Sequence, residues 1–237
     1  MVEIALDGVQ IRVADVEAAT RSYTLLLGVA AATLPTGGRR FQLGCGAVEI
    51  EEGEPGAHAV RFVPVTSQSP STGEDSRTLP ETFHGLAVQI APVPDTAPVP
   101  RAAPDAALAI DHVVVQTTSP ERAIALWRDR IGLRLALDRE FPGRAMRLLF
   151  FRSAAMTLEY ASPLPPVAAD AADRFYGVSY RVGNLTAVRH RLVGAGVEVS
   201  DIRPGQRPST VVASVRSGTC DVPTLLIERS DADRHDS

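Results

Sequence analysis

Few side chains in this 237-residue chain are suited to acid–base, nucleophilic or metal chemistry. Cys45 and Cys220 lie in different halves and have neither metal-binding nor redox spacing. All 24 basic residues are arginine, which excludes lysine Schiff-base catalysis and the phosphate-binding lysine of a nucleotide loop. Among the five histidines, His112 precedes three valines, a run typical of a strand. On these residues alone, His112 is interpreted as a half-buried strand histidine bonded to a neighbour.

Composition limits the classes of partner. The net charge is -4 and the arginines form no block, which argues against nucleic acid or an anionic membrane as a partner. With 45% hydrophobic and 22% charged residues, the chain can bury a sizeable core. We find no secretory leader and no apolar stretch long enough to span a bilayer, so we expect a cytoplasmic protein acting on a small molecule.

An internal repeat organises the chain, because residues 9–51 align with residues 113–159. Each copy is typical of a strand, a capped amphipathic helix that ends at glycine, and three further strands. Agreement at the cap, the core and the stop of the helix together is hard to obtain by chance. The matching pairs are Asp15 with Ser119, Tyr23 with Trp127, Leu27 with Ile131 and Gly28 with Gly132.

A third copy starts at FYGVSYRV, with a helix capped by Asn184. Residues 54–94 hold two strand-like runs without helical periodicity, so we interpret them as a shrunken module that has lost its helix. A proline- and alanine-rich segment follows and is interpreted as a stiff linker. We therefore predict a degenerate domain at 1–94, a linker at 95–107, a second domain at 108–230 and a polar tail at 231–237.

This organisation resembles the vicinal oxygen chelate superfamily, which includes glyoxalases, bleomycin resistance proteins and extradiol dioxygenases. The resemblance rests on IDHVVVQTTSPERAIALWRDRIGLRLALDREFPG at 110–143, MTLEY at 156–160 and RSGTCDVPTLLIERS at 216–230. It implies an α+β fold in which repeated βαβββ modules form two glyoxalase-like cups, the N-terminal one degenerate.

The resemblance also implies a metal site, because the superfamily's ligands project from the first and last strand of each module. Carried over by position, these ligands are His112, Glu159 and Glu228, whereas the fourth position falls on Gly177. This set suits a divalent zinc, manganese, nickel or iron ion. It lacks the two histidines of non-haem iron oxygenases, so ring cleavage is disfavoured.

In the first half, the resemblance places Gly8 at the position of His112 and leaves only Glu51 as a ligand. We therefore expect that half to be catalytically silent.

The expected function is that of a metalloenzyme acting on a small oxygenated substrate by isomerase, lyase or epimerase chemistry. Glu159 or Glu228 would act as the catalytic base. Arg216, Thr219 and Tyr180 are the candidate substrate contacts.

The alternative is a metal-free binding protein of the same superfamily that sequesters an aromatic metabolite or antibiotic. Phe150, Phe151, Phe175, Tyr176 and Tyr180 are its candidate cup-lining residues. For either function the chain is expected to be a monomer or a homodimer.

Overall fold

The computed structural model describes residues 4–56, 58–64, 80–92, 103–167 and 171–229. These residues form two mixed β-sheets together with a few short helices, which confirms the predicted α+β class. None of the helices in these ranges is long and apolar enough to cross a membrane.

The first sheet is built from the N-terminal half, together with the helix α1 (Val16–Leu27). Its strands are β1 (Ile4–Val13), β2 (Ala32–Thr33), β3 (Arg39–Gln42), β4 (Ala47–Glu52), β5 (Ala59–Pro64), β6 (Pro80–Phe83) and β7 (Leu86–Ile90). They lie in the order β2-β3-β4-β1-β5-β7-β6.

The second sheet is built from the C-terminal half, together with α2 (Pro120–Ile124) and α3 (Leu185–Gly194). Its strands are β8 (Ala107–Gln116), β9 (Arg134–Phe141), β10 (Met146–Ser153), β11 (Met156–Pro163), β12 (Arg174–Val182), β13 (Arg203–Pro204), β14 (Thr210–Val215) and β15 (Thr224–Arg229). They lie in the order β13-β14-β15-β12-β8-β11-β10-β9.

Both sheets join two modules in the same way. The first strands of the paired modules run antiparallel to each other, β1 beside β5 and β8 beside β12. The last strand of a module lies parallel to its own first strand, as β4 beside β1, β11 beside β8 and β15 beside β12 show. The predicted repeat is therefore confirmed, and strand register identifies equivalent positions in the two sheets.

Two of the three predicted helix N-caps are confirmed. Asp15 and Asn184 are N-caps whose side chains accept hydrogen bonds from the backbone N–H groups of Ala18 and Ala187. Ser119 makes no such bond, although the proline that follows it occupies the first helical turn as predicted. That helix, α2, continues as a π-helical segment, Ala125–Arg130.

The second module has no helix within the residues described, 58–64 and 80–92, and a neighbour covers its sheet. Trp127, from the π-helical segment of the third module, stacks on Phe62 with ring centroids 5.1 Å apart. It also meets Phe83 edge-on at 5.9 Å, and its Nε1 donates to the hydroxyl of Tyr160 at 2.7 Å. Trp127, from the second half, therefore covers part of the face of the second module's strands.

The two sheets consequently share one core through their helix-bearing faces. The backbone N–H of Leu6 donates to Ser153 Oγ at 2.7 Å, and the Tyr23 hydroxyl donates to the backbone oxygen of Thr219 at 3.0 Å. Arg191 of α3 donates to a backbone oxygen near the end of α1. The opposite face of each sheet is turned away from this core.

The predicted domain limits remain predictions. Residues 93–102, which include most of the linker, and 231–237 of the tail lie outside the described residues. The second sheet begins at Ala107, one residue before the predicted boundary.

Replacing Trp127 should test the shared core. Trp127→Ala removes a fully buried ring that touches both halves, so we expect the free energy of unfolding to fall by about 3–5 kcal/mol. The measurement is urea unfolding followed by circular dichroism. Val193→Ala, at a side chain with 46% exposure, is the control and should change it by less than about 0.5 kcal/mol. A loss at Trp127 no larger than that of the control would contradict the shared core.

Candidate active site

His112 lies in the middle of β8, in a row of paired residues that crosses the second sheet. Its register partners are Thr157 on β11 and Ser179 on β12, and Thr157 in turn pairs with Arg152 on β10. Directly paired residues share a face of a sheet, so these four side chains lie on one face. Val113 next to His112 points to the opposite, helix-bearing face and is fully buried. We call the face that carries His112 the cup face.

A β-bulge places a carboxylate beside His112. Ser179 pairs with His112 and Tyr180 pairs with Ile110, so Asp111 is the extra residue on β8. The bulge brings Asp111 within hydrogen-bond distance of the adjacent imidazole, with Oδ2 3.0 Å from Nδ1.

Contacts on both nitrogens hold the imidazole of His112 in place. Because an ionised carboxylate only accepts, Nδ1–H donates to Asp111. In the neutral ring Nε2 is then an acceptor, and the Ser179 hydroxyl lies 2.7 Å from it. Glu159 Oε2 is 3.6 Å from the same Nε2. His112 therefore has a carboxylate on each side.

Glu159 lies on β11, two residues after Thr157 and so on the same face. Its side chain is 16% exposed, so it is largely shielded from bulk water yet accessible from the cup. Burial raises its pKa, and the neighbouring charge of His112 offsets this only in part. A carboxylate with a raised pKa is a better proton acceptor near neutral pH.

Asp111 behaves in the opposite way. Burial raises its pKa, but the hydrogen bond from His112 and the charges of His112, Arg229 and Arg181 outweigh that effect, so its pKa is lowered. Arg229 also forms an ion pair with its Oδ1. Asp111 therefore stays ionised and can stabilise a protonated imidazole, whereas Glu159 is the group able to take up a proton.

The contacts of Asp111, His112 and Ser179 are those of an acid–base–nucleophile triad. Ser179 is, however, only 2% exposed, at the centre of a paired strand. A nucleophile must reach a substrate carbon, so we interpret Ser179 as a support that orients the imidazole.

Glu228 does not join His112 and Glu159. It pairs with Val182 and not with a cup-face residue such as Ser179, so its side chain lies on the helix-bearing face of the sheet. There its Oε2 accepts a hydrogen bond of 2.6 Å from the backbone N–H at the start of α3 and caps that helix. This corrects the expectation that Glu228 lies beside the other two residues in the cup.

The predicted substrate contacts also lie elsewhere. Tyr180 is fully buried on the helix-bearing face, where burial raises its pKa well above the ordinary tyrosine value. Thr219 is buried at the contact with α1, and Arg216 is exposed in the same loop, with its backbone N–H bonded to Glu198. This corrects the expectation that Tyr180 and Thr219 line the cup, and no described contact joins Arg216 to it.

The first sheet has an equivalent cup, and strand register identifies its residues. Asp7 is the bulge residue there, as Asp111 is in the second sheet, and Gly8 takes the position of His112. Glu49 is the counterpart of Glu159, because each lies two residues beyond the position on its strand that pairs with Gly8 or His112.

Charged side chains fill this first cup. Arg61 on β5 pairs with Gly8, as Ser179 pairs with His112. Its Nε lies 2.7 Å from Asp7 and its Nη1 lies 2.9 Å from Glu49, so one guanidinium joins the two equivalent carboxylates. Arg40 joins the same pair from β3.

Gly8 cannot be replaced by a histidine without moving the backbone. It has φ +146°, and a Cβ there would lie 1.9 Å from the backbone oxygen of Ala47. The backbone of the first cup therefore excludes an imidazole at this position.

The expected remnant in the first half was Glu51, and the register corrects this to Glu49. Glu51 lies two residues further along β4, where it accepts a hydrogen bond from Thr36 Oγ1 at 2.8 Å. Burial, together with the charge of Asp7, raises the pKa of Glu49 by more than Arg61 and Arg40 lower it. The paired charges of the first cup are mutually satisfied and leave no free base among its described residues, which supports the expectation of a silent half.

Sequence reasoning missed Asp111 and Ser179. Asp111 directly precedes His112, and the repeat aligns it with Asp7, so an acidic residue at the same place in both copies was an available signal. Ser179 could be found only through the pairing of β8 with β12.

The donor set does not fit a resident divalent metal. Catalytic zinc sites use three protein ligands, and the cup offers two, the imidazole of His112 and the carboxylate of Glu159. Asp111 is bonded to Nδ1 of the same imidazole and to Arg229. Glu228 is bonded to α3 on the other face. Within the described residues, no group of three histidine, cysteine, aspartate or glutamate side chains could hold a metal ion.

Fold and site together define a paired βαβββ protein. Ion pairs fill its first cup, and we call the second the open cup because the side chains of His112 and Glu159 stay partly exposed there. Residues 111–213 match the family model described as "Glyoxalase/Bleomycin resistance protein/Dioxygenase superfamily". The resemblance to the vicinal oxygen chelate superfamily is thereby confirmed for the part of the chain that carries the open cup. No curated protein matches the chain.

Solved structures with similar folds cover about half of this chain. Methylmalonyl-CoA epimerase from Mycobacterium tuberculosis is 19% identical, with a TM-score of 0.45 over 53% of this chain and 91% of its own. A hypothetical protein from Bacillus halodurans C-125 is 16% identical, with a TM-score of 0.44 over 52% and 94%. At this level of similarity they contribute nothing to the assignment of an activity.

Removing one arginine from the ion-pair network of the filled cup should destabilise the protein. Arg61→Ala leaves Asp7 and Glu49 with less compensation in a buried site, so we expect the free energy of unfolding to fall by about 3–5 kcal/mol. The loss should shrink as the pH is lowered, because protonation of Glu49, whose pKa is raised, removes one of the unpaired charges. Chemical unfolding between about pH 5 and pH 8 measures both effects.

Arg39→Ala is the matched control, because Arg39 neighbours Arg40 but pairs with the exposed Glu17. It should cost less than about 1 kcal/mol. Equal losses for Arg61→Ala and Arg39→Ala would show that the buried network does not stabilise the first half.

Proposed function

We propose that the open cup of the second half catalyses proton transfer on a small oxygenated substrate, as an isomerase, lyase or epimerase does. The observation that carries the proposal is the contact chain from Asp111 through His112 to Glu159 on the cup face. It combines a carboxylate kept ionised, an imidazole oriented by it, and a second carboxylate with a raised pKa.

Glu159 is the base in this proposal. Its carboxylate takes a proton from a substrate carbon next to a carbonyl group, and the electron pair of the broken C–H bond moves to the carbonyl oxygen. Burial supports the role, because a desolvated carboxylate binds the incoming proton more tightly than one in water. The proton returns to carbon, at the same or a neighbouring position, and the base is restored.

His112 supports the negative charge that forms on the substrate oxygen. When protonated, its Nε2–H donates to that oxygen, while Asp111 stabilises the positive ring through Nδ1. Ser179 holds the ring in position when no substrate is present. No step of the proposal passes through a metal ion, because the residues of the cup do not make up a three-ligand set.

The alternative, capture of an aromatic ligand, has less support. Of the five aromatic side chains considered for it, Phe150 pairs with Glu159 and lies on the cup face. The other four do not surround a ligand there: Phe151 and Tyr180 are buried on the opposite face, Phe175 packs edge-on against His58, and Tyr176 is exposed at a strand bulge. The described residues therefore provide no aromatic cage.

Exchange of substrate protons with solvent tests the proposed base. Small 2-oxo acids and 1,3-dicarbonyl compounds are incubated in D₂O, and loss of the proton next to the carbonyl is followed by NMR. Glu159→Gln should lower the protein-catalysed rate by about 10²–10⁴-fold, because the general base is lost. The wild-type rate should rise with pH, with a midpoint above the ordinary glutamate value of 4.5, because the deprotonated form is active.

The same assay separates the mechanisms. Ser179→Ala should retain most of the activity and EDTA should leave the rate unchanged. Loss of activity in Ser179→Ala with full activity in Glu159→Gln would replace the proposal with nucleophilic catalysis. Wild-type protein that exchanges no compound faster than Glu159→Gln would contradict it.

Glu228→Gln provides the matched control for Glu159→Gln. It weakens a charged cap of α3, so we expect the free energy of unfolding to fall by about 0.5–2 kcal/mol while the exchange rate is unchanged. Thermal unfolding and the NMR assay measure the two effects. A large loss of activity in Glu228→Gln, with stability unchanged, would show that Glu228 belongs to the active site and would contradict its assignment as a helix cap.

A further inference from the structure

We infer that the open cup binds an anionic group of its substrate, a carboxylate or phosphate, through Arg152 and the arginines around it. This inference rests on the proposed function, because it names the substrate class of the same cup.

Strand pairing places Arg152 beside the reacting groups. It lies on β10 opposite Thr157, which pairs with His112, so Arg152 is two strands away from the histidine on the same face. Neighbouring strands are about 4.8 Å apart, which puts the two backbones about 10 Å apart. The Nη1 of Arg152 donates to Thr157 Oγ1 at 3.0 Å, so its guanidinium lies over the strand that carries Glu159.

Three further arginines act on this position. Arg134 on β9 pairs directly with Arg152 on β10. The charges of Arg207 and Arg229 also act on the guanidinium of Arg152. Burial and these like charges lower the pKa of Arg152, and the charge of Asp111 offsets them only in part. Because side chains of one sign repel each other, a cluster of this kind is favoured when an anion completes it.

The carboxylates of the cup do not balance this charge. Among the described strand residues of the second sheet, Asp111 and Glu159 are the carboxylates beside His112 on the cup face. Asp111 is already paired with Arg229, which leaves the single carboxylate of Glu159 to offset the charges of Arg152, Arg134 and Arg207. Among the described residues Arg152 forms no ion pair with a carboxylate and donates to Thr157 instead, although the whole chain carries a net charge of -4. A positive cup in an acidic protein selects for an anion.

Calorimetric titration with malonate and with inorganic phosphate tests the inference at low ionic strength. Malonamide, a neutral compound of similar shape, is the ligand control. We expect the wild-type protein to bind malonate or phosphate and not malonamide, with affinity falling as salt is added. Arg152→Gln should weaken anion binding by roughly tenfold to a hundredfold, the range for a charge-assisted hydrogen bond.

Arg128→Gln is the matched control, because Arg128 is exposed and pairs with Asp129. It should leave anion affinity unchanged. Arg134→Gln, at an exposed position, is the second variant should Arg152→Gln fold poorly, and a smaller loss of about threefold is expected. Equal affinity in Arg152→Gln and Arg128→Gln, or equal binding of malonate and malonamide, would overturn the inference.

Glu159→Gln separates this inference from the proposed function. It removes a negative charge from the cup, so it should bind malonate at least as tightly as the wild-type protein. Anion binding that depends on Arg152, in a protein whose proton exchange does not depend on Glu159, would sustain the anion site and reject the proton-transfer mechanism.

Discussion

The burial of one face of each sheet against the other is the constraint on which the rest of this structure depends. Trp127 lies at the centre of that contact, stacked on Phe62 and hydrogen-bonded to Tyr160. Because a strand alternates its side chains between two faces, burying one face leaves the other for polar residues. The same contact joins the strands of the second module to the third module, because Trp127 packs against both Phe62 and Phe83.

The two cups show how one backbone frame supports opposite outcomes. Both have a bulge aspartate on the first strand and a glutamate on the last, as Asp7 and Glu49 in one and Asp111 and Glu159 in the other. In the first cup Arg61 joins the two carboxylates with a charge that it cannot release, so the site is held as an ion-pair network. In the second cup the group between them is an imidazole, which can gain and lose a proton. The chemical difference between the halves follows from the group that lies between the two carboxylates, an arginine in the first cup and a histidine in the second.

The repeat, the strands and two of the helix caps could be predicted from the sequence, because they depend on local patterns of apolar residues and on capping side chains. The partners of His112 could not all be predicted. Glu228 and Glu159 both follow apolar runs, but a one-residue difference in register places them on opposite faces. Asp111 reaches the cup only through a bulge, and Ser179 only through the pairing of β8 with β12. Such features depend on contacts between distant strands, which periodicity along the chain does not encode.

The sequence contains no lysine, so the basic side chains of the open cup are arginines and His112. The positive charges of the arginines are therefore fixed, whereas other groups of the cup can exchange protons. Guanidinium groups stay protonated under all ordinary conditions, so Arg152 and its neighbours supply a positive field that does not change with pH. Burial lowers the pKa of Arg152, but the ordinary pKa of an arginine lies far above neutrality. His112 and Glu159 are then the groups that can move a proton within that field. The arginines can bind the anionic group of a substrate while a neighbouring base removes a proton from the same molecule. Their charge does not change during that step, so binding is maintained. This accounts for the position of the arginines and the carboxylate on the same face.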